Sequence, residues 1–275
     1  MHLFLAAKMS VDEKPLIELF VQASSTDRTE KGPCLTSQQW FMILYSLVER
    51  GLIDLRLTPM THDYPPKSYT DLNAARYLPI AWIESGTIYG FNRPDKAITS
   101  WDEMELLMEK LGYPFLNPSL TEKEVREAER VFEDLISHLM QLIRLGKSKP
   151  LLNTLGRIDD FLESKGQRFL LGPDISYPDC LLMPKLQHVR VLCQAYKNSD
   201  IPENLGYLCN YLGEMYHSEA FNRSCPSDRD IILHYMEKDA LSKNFRLRLL
   251  GSESLRDVPG SSGQSASLIN GTMPR

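Results

Sequence analysis

The sequence has 275 residues, enough for one large domain or two ordinary ones. With 43% hydrophobic and 24% charged residues it has a globular composition, and its net charge of −5, with scattered Lys and Arg, excludes a basic field for nucleic acid. Cys34, Cys180, Cys193, Cys209 and Cys225 form no C-x-x-C pair, which excludes a disulfide scaffold and indicates a reducing compartment.

The opening MHLFLAAKMS has an apolar patch shorter than the roughly 7–15 residues of a signal-peptide core, and it lacks a basic leader. A cytosolic protein is expected. No run reaches the roughly 18–20 apolar residues of a spanning helix. The nearest, over 40–48, is stopped by Glu49, Arg50, Asp54 and Arg56.

The short apolar run LIELFV at 16–21 suits a buried strand. A helix is expected over 37–50, closed by Gly51 where a left-handed cap is favoured. Its spacing puts Phe41, Leu44 and Val48 on one face for the sheet, with Met42 and Tyr45 toward the side. IDLRL at 53–57 alternates with period two, completing a strand–helix–strand unit with a parallel pair. After a Pro- and Tyr-rich stretch with a short helical link comes a strand over 78–84, then a turn at Ser85-Gly86. Thr87, Ile88 and Tyr89 are expected to pair back as its hairpin partner. Ser100 to Glu103 is a capping box before a helix whose stripe is Met104, Leu107, Met108 and Leu111.

GYPFLNP at 112–118 interrupts any helix and is expected to be a linker. Beyond it the pattern is helical. Thr121 and Glu124 cap one long helix with Val125, Ala128, Phe132, Leu135, Leu139 and Leu142 inside, ending at Gly146. Leu152, Leu155, Ile158 and Phe161 mark a second helix, stopped by Gly166. A third starts near Ser176, with Met183, Leu186 and Val189 inward, and a fourth starts at Ile201-Pro202. From Gly251 the composition turns to Ser, Gly and isolated charges, too poor in apolar surface to fold. The expected organisation is a thioredoxin-like α/β domain (βαβ–ββα) over 14–112, a linker over 113–118, an all-α domain over 119–250 and a disordered tail over 251–275. This is the order of the glutathione-transferase architecture.

Two sites stand out on chemistry. A helix start favours negative charge through its unpaired N–H groups and dipole, so Cys34 is the candidate reactive thiol, with Lys31 and Arg28 upstream and Glu30 opposing them. The competing reading is an exposed cysteine of ordinary reactivity. Ser176, Pro178 and Asp179 form a structural helix-starting box in which Asp179 reaches back to the Ser176 N–H. Cys180, Cys193 and Cys209 lie on apolar helical stretches and are expected to be core. The six histidines have no ligand spacing, so no metal site is expected, and no glycine-rich phosphate loop appears.

The blocks CLTSQQWFM, FLLGPDISYPDCLLMPKLQHVRVL, SDIPENLGYLCNYL and SCPSDRDIILHY together resemble the chloride intracellular channel family, from about Leu16 to Tyr235. The short connection at 164–169 and the ending DIILHY are most similar to its nematode-type members. Vertebrate members read Cys-Pro-Phe-Ser where this chain has Cys34-Leu35-Thr36-Ser37, so the cysteine and last serine match and the middle pair departs. Their basic cluster is replaced by Gln194-Ala195-Tyr196-Lys197, so a nuclear-import role does not carry over. The resemblance implies a cytoplasmic protein with a fraction on intracellular membranes, membrane lipid and chloride as partners, and a homo-oligomer in the membrane. It implies no obligatory cofactor. Glutathione is the ligand of its thiol site, with Cys34, a cis Pro79 facing the cysteinyl part, and Asp95 near the glutamyl end. Asp95 would repel that end's carboxylate and accept from its ammonium. Three function classes follow: a chloride channel-like protein, a glutathione-dependent oxidoreductase using Cys34, and a non-catalytic scaffold. The first is favoured by the breadth of the resemblance.

Overall fold

The structure is a computed structural model that describes residues 14–72, 77–91, 97–239, 255–259 and 266–267. β1 (Leu16–Gln22) leads to α1 (Leu35–Glu49) and β2 (Asp54–Met60), and β2 lies parallel to β1 with Leu16 opposite Asp54. A short helix α2 (Lys67–Thr70) crosses to β3 (Ile80–Ser85), which is antiparallel to β1, and β4 (Ala97–Ile98) pairs with β3. The sheet order β2-β1-β3-β4 is that of a thioredoxin-like module. α3 (Trp101–Lys110) closes it, with the Ser100 hydroxyl accepting from the Glu103 N–H at 3.3 Å and Met104, Leu107 and Met108 buried.

The hairpin partner of β3 is Ala97–Ile98, not 87–89. Gly86 and Gly90 both take positive φ, so 86–91 folds as a compact turn that buries Ile88 and leaves Tyr89 94% exposed. Three residues of mixed polarity carry too little pattern to separate such a turn from a strand.

The helical module consists of α4 (Glu122–Phe132), α5 (Leu135–Leu145), α6 (Lys149–Lys165), α7 (Tyr177–Lys197), α8 (Gly206–Tyr216), α9 (Glu219–Ser224) and α10 (Asp228–Asp239). The expected single helix over 121–146 is two, broken at Glu133-Asp134, while its stripe of Val125, Ala128, Phe132, Leu135, Leu139 and Leu142 stays buried throughout. The break preserves the apolar face, which is why periodicity hid it. A short strand β5 (Ser199–Asp200) follows α7, and α8 starts at Gly206, after Ile201 and Pro202, because the chain first makes a turn in which the Leu205 N–H donates to Pro202 O at 3.1 Å. The segment 113–118 is packed: Leu116 is buried, and the Phe115 ring lies 6.1 Å from that of Tyr177.

One apolar core runs through both modules, and α1 is its centre. Trp40, Phe41, Met42, Ile43, Leu44 and Leu47 are all buried, so the expectation that Met42 lies at the side is corrected. A strand–helix–strand unit alone would leave the outer face of α1 to solvent. Here α7 and α9 cover that face. Gln39 Nε2 donates to Leu181 O at 2.9 Å, and the Trp40, Trp101 and Tyr177 rings stack edge to face across the junction.

Candidate functional site

The chain leaves the sheet at Gln22, loops out, and returns so that Lys31 bridges Ala23 and the Gly32 N–H donates to Gln22 O at 2.7 Å. A Cβ on Gly32 would fall 2.5 Å from Ala23 O, so this close return requires glycine. Pro33 then delivers Cys34 to the N-cap of α1 in an extended conformation, where its carbonyl accepts from the Gln38 N–H at 3.0 Å. No side chain caps this end and no acid sits in the first turn, so the N–H groups beside the thiol are uncompensated by protein charge. Lys31 pairs with Glu30 at 3.6 Å.

Cys34 is half-buried, while Cys180, Cys193, Cys209 and Cys225 are buried. Burial pushes the thiols of all four upward, Cys209 to about 11 and Cys225 to about 12. One turn into α1, Gln38 is 3% exposed and its amide has no hydrogen-bond partner among the described residues. At i+4 from Cys34 it shares the thiol's face of the helix. Sequence reasoning passed over this residue, though a glutamine four residues after the thiol in an apolar helix was the available signal.

The Leu78–Pro79 peptide bond is cis. Phe20 pairs with Ile80, so Pro79 sits at the end of β1 from which the chain runs to Cys34. The fold thus brings Cys34 and Pro79 to the same end of the two central strands, β1 and β3. Asp95 lies outside the described residues.

Ser176 and Asp179 lie at the start of α7. Asp179 Oδ2 accepts from the Ser176 N–H at 2.8 Å and from the Ser176 hydroxyl at 2.5 Å, and Asp179 Oδ1 accepts from the Leu170 N–H at 3.0 Å. The carboxylate therefore caps α7 and also ties down the turn before it. Its complete burial pushes the carboxyl above its ordinary value, opposed by these hydrogen bonds.

No family model matches the sequence. Over 230 residues it is 35% identical to the chloride intracellular channel Clic of Drosophila melanogaster, covering 82% of this chain and 84% of that protein. The chain belongs to the chloride intracellular channel family. A second family member, the chloride intracellular channel exc-4 of Caenorhabditis elegans, is 30% identical over 270 residues, covering 90% of this chain and 88% of that protein. The crystal structure of that homologue superposes with a TM-score of 0.70 at 28% identity, covering 90% of both chains. Dehydroascorbate reductase from Chlamydomonas reinhardtii superposes with a TM-score of 0.59 at 15% identity over 80% of this chain and 97% of that one, which places the glutathione-transferase-like fold alone. Among the described residues of this family member, no helix is long and apolar enough to cross a membrane.

Proposed function

We propose that this family member resides in the cytoplasm, associates with intracellular membranes and takes part in chloride transport, with the membrane form assembling as a homo-oligomer. The observation that carries this is family membership over more than four-fifths of the chain, spanning both modules. Membrane entry would use the segment 34–57, which requires α1 to leave its place between the sheet and α7. Glu49, Arg50, Asp54 and Arg56 oppose that, each charge costing roughly 2.5–3.5 kcal/mol near a bilayer centre. Flotation of the purified protein with liposomes across pH and redox state, followed by chloride efflux from the loaded vesicles, tests the reading. Failure to float under every condition would reject it.

A second reading is favoured by Cys34 at an uncapped helix start, with Pro79 at the same end of the sheet and the Gln38 amide, unpartnered among the described residues, on the thiol's face of α1. In it Cys34 supplies the nucleophile of a glutathione-dependent oxidoreductase. Cys34 and Gln38 suit a ligand with a thiol and peptide groups. Turnover of a small disulfide by glutathione, lost in Cys34→Ser, supports this reading; absence of turnover in the native chain removes it. Failure of both assays leaves a scaffold of transferase fold.

A further inference from the structure

Residues 255–259 lie in a groove along α7, α8 and α10, and the groove grips their main chain. The Leu255 N–H donates to Asp228 Oδ2 at 2.6 Å, and the Leu255 carbonyl accepts from Gln187 Nε2 at 3.0 Å. Two residues on, the Asp257 carbonyl accepts from Arg190 Nη1 at 2.5 Å. The gripping side chains come from α7 and from the first residue of α10, and all three are buried. Farther along, β6 (Ala266–Ser267) pairs in parallel with β5, Ser199 opposite Ala266.

These receptor groups are also fixed by bonds that do not involve residues 255–259. Arg190 makes a bidentate pair with Asp200, at 2.9 Å from Nε and 2.5 Å from Nη2, and Nη1 reaches the Tyr216 hydroxyl at 2.8 Å. Gln187 Oε1 accepts from the same hydroxyl at 2.8 Å, while Gln187 Nε2 lies 3.3 Å from Asp228 Oδ1. A buried guanidinium or carboxylate is tolerated only when paired. Here each receptor side chain has one set of partners in the fold and another on an extended backbone. Main-chain contacts at positions i and i+2 are how a strand-like segment is read, with side-chain pockets adding preference.

The side chains indicate that preference. Leu255 packs against the main core, the Arg256 guanidinium lies 5.3 Å from the centre of the Phe221 ring, and Pro259 is buried. A Cβ on Gly213 would come within 3.3 Å of Val258 Cγ2, so that glycine leaves room for the valine. The Asp257 carboxylate also lies 3.5 Å from Arg190 Nη2. We propose that this groove is a peptide-binding site for a partner protein presenting an extended aliphatic–Arg–Asp–Val–Pro segment, occupied here by the chain's own residues 255–259. Because the occupant belongs to the same chain, its docking is intramolecular, and the partner competes against an effective concentration of roughly millimolar order.

The test uses the full chain and a fluorescent nonapeptide with the sequence of residues 253–261. The native chain should bind it weakly, and the Leu255→Pro and Arg256→Glu chains at least tenfold more tightly, because each weakens the internal occupant and leaves the groove unchanged. A peptide carrying proline at the leucine position should lose at least tenfold on all three chains. Equal binding by all three chains, or equal binding of both peptides, overturns the proposal. Thermal melts establish that the variants are folded. Independently, millimolar native peptide should accelerate hydrogen exchange at the Leu255 amide of the native chain, and unchanged exchange overturns the proposal without any variant.

Discussion

The Ser24 hydroxyl donates to Asp230 Oδ1 at 2.6 Å, fastening the loop after β1 to α10 across 206 residues of sequence. Both residues are buried. Ser24 Oγ also accepts from the Thr26 and Asp27 N–H groups, at 3.0 and 3.1 Å, and Asp230 Oδ2 accepts from the Ser227 hydroxyl at 2.6 Å. This clasp holds the loop that leads to Cys34 against the helical module. A hydrogen bond to a charged group contributes about 1.5–3 kcal/mol. Ser24→Ala should therefore lower stability by about 2 kcal/mol, seen as a lower urea midpoint at unchanged slope. An unmoved midpoint would mean the clasp adds nothing to stability.

Asp179→Ala should cost more than an ordinary helix cap. Loss of a cap alone is worth about 0.5–2 kcal/mol. Here the substitution also leaves the buried Leu170 N–H without its acceptor, adding about 1–3 kcal/mol. We expect a total near 3 kcal/mol, and a smaller loss for Ser176→Ala, which removes one hydroxyl and keeps both backbone bonds. Equal losses for the two variants in urea melts would show that Asp179 acts only as a cap.

Cys34 should be the first thiol alkylated in the folded protein. Cys180, Cys193, Cys209 and Cys225 are all buried, and burial raises each of their thiols. The thiolate is the reacting form, so those four stay protonated and shielded at pH 8. Brief treatment with a mass-tagged reagent and peptide mapping gives the order. Earlier labelling of any buried cysteine would count against the helix-start argument.

The features legible in the sequence were those with a local physical signature. Ser100, Thr121 and Ser176 announced their helices through box spacing, and Gly51, Gly146 and Gly166 announced the ends through positive φ. The reach of the Asp179 carboxylate to Leu170 had no such signature, because the partner is a backbone N–H in a turn. The burial of Met42 was hidden for a different reason. The periodicity of α1 describes one buried face, and only the tertiary placement of α7 and α9 covers the other. Residues 255–259 have too little apolar surface to be recognised as docked, since main-chain hydrogen bonds to Asp228, Gln187 and Arg190 hold them. Cys34 was visible as a helix-start thiol, whereas the juxtaposition with Pro79 came from strand register.

Glu49 gives a pH signature of stability. It borders a cleft with Arg50, Arg168, Glu214 and His217, and desolvation raises its carboxyl above the ordinary 4.5, with Arg50 opposing and Glu219 reinforcing the rise. The folded state then holds this proton more tightly than the unfolded state. The resulting stabilisation is complete below pH 4.5 and is lost as pH rises through the elevated value. Glu49→Gln should leave stability unchanged in acid and raise it at neutral pH. A series of urea midpoints from pH 4 to 7 checks this, and a neutral-pH loss in the variant would contradict the sign.

The same carboxylate bears on membrane entry, where two effects of Glu49→Gln oppose each other. Neutralisation favours the folded state, which retains α1 in the core, and it lowers the cost of placing 34–57 in a bilayer. The second effect is the larger: a charge near the bilayer centre costs roughly 2.5–3.5 kcal/mol, while solvent screening weakens the first at a side chain only partly buried. Asp54, 61% exposed and 3.9 Å from Lys14, contributes in the same direction when neutralised. Flotation with liposomes should therefore rise as pH falls, and the chain carrying both Glu49→Gln and Asp54→Asn should float more than the native chain at pH 7. The excess should shrink in acid, where the Glu49 carboxyl of the native chain is protonated as well. Identical flotation of the two chains at every pH would remove carboxylate control and leave residues 40–48 with no role beyond the core between the sheet and α7.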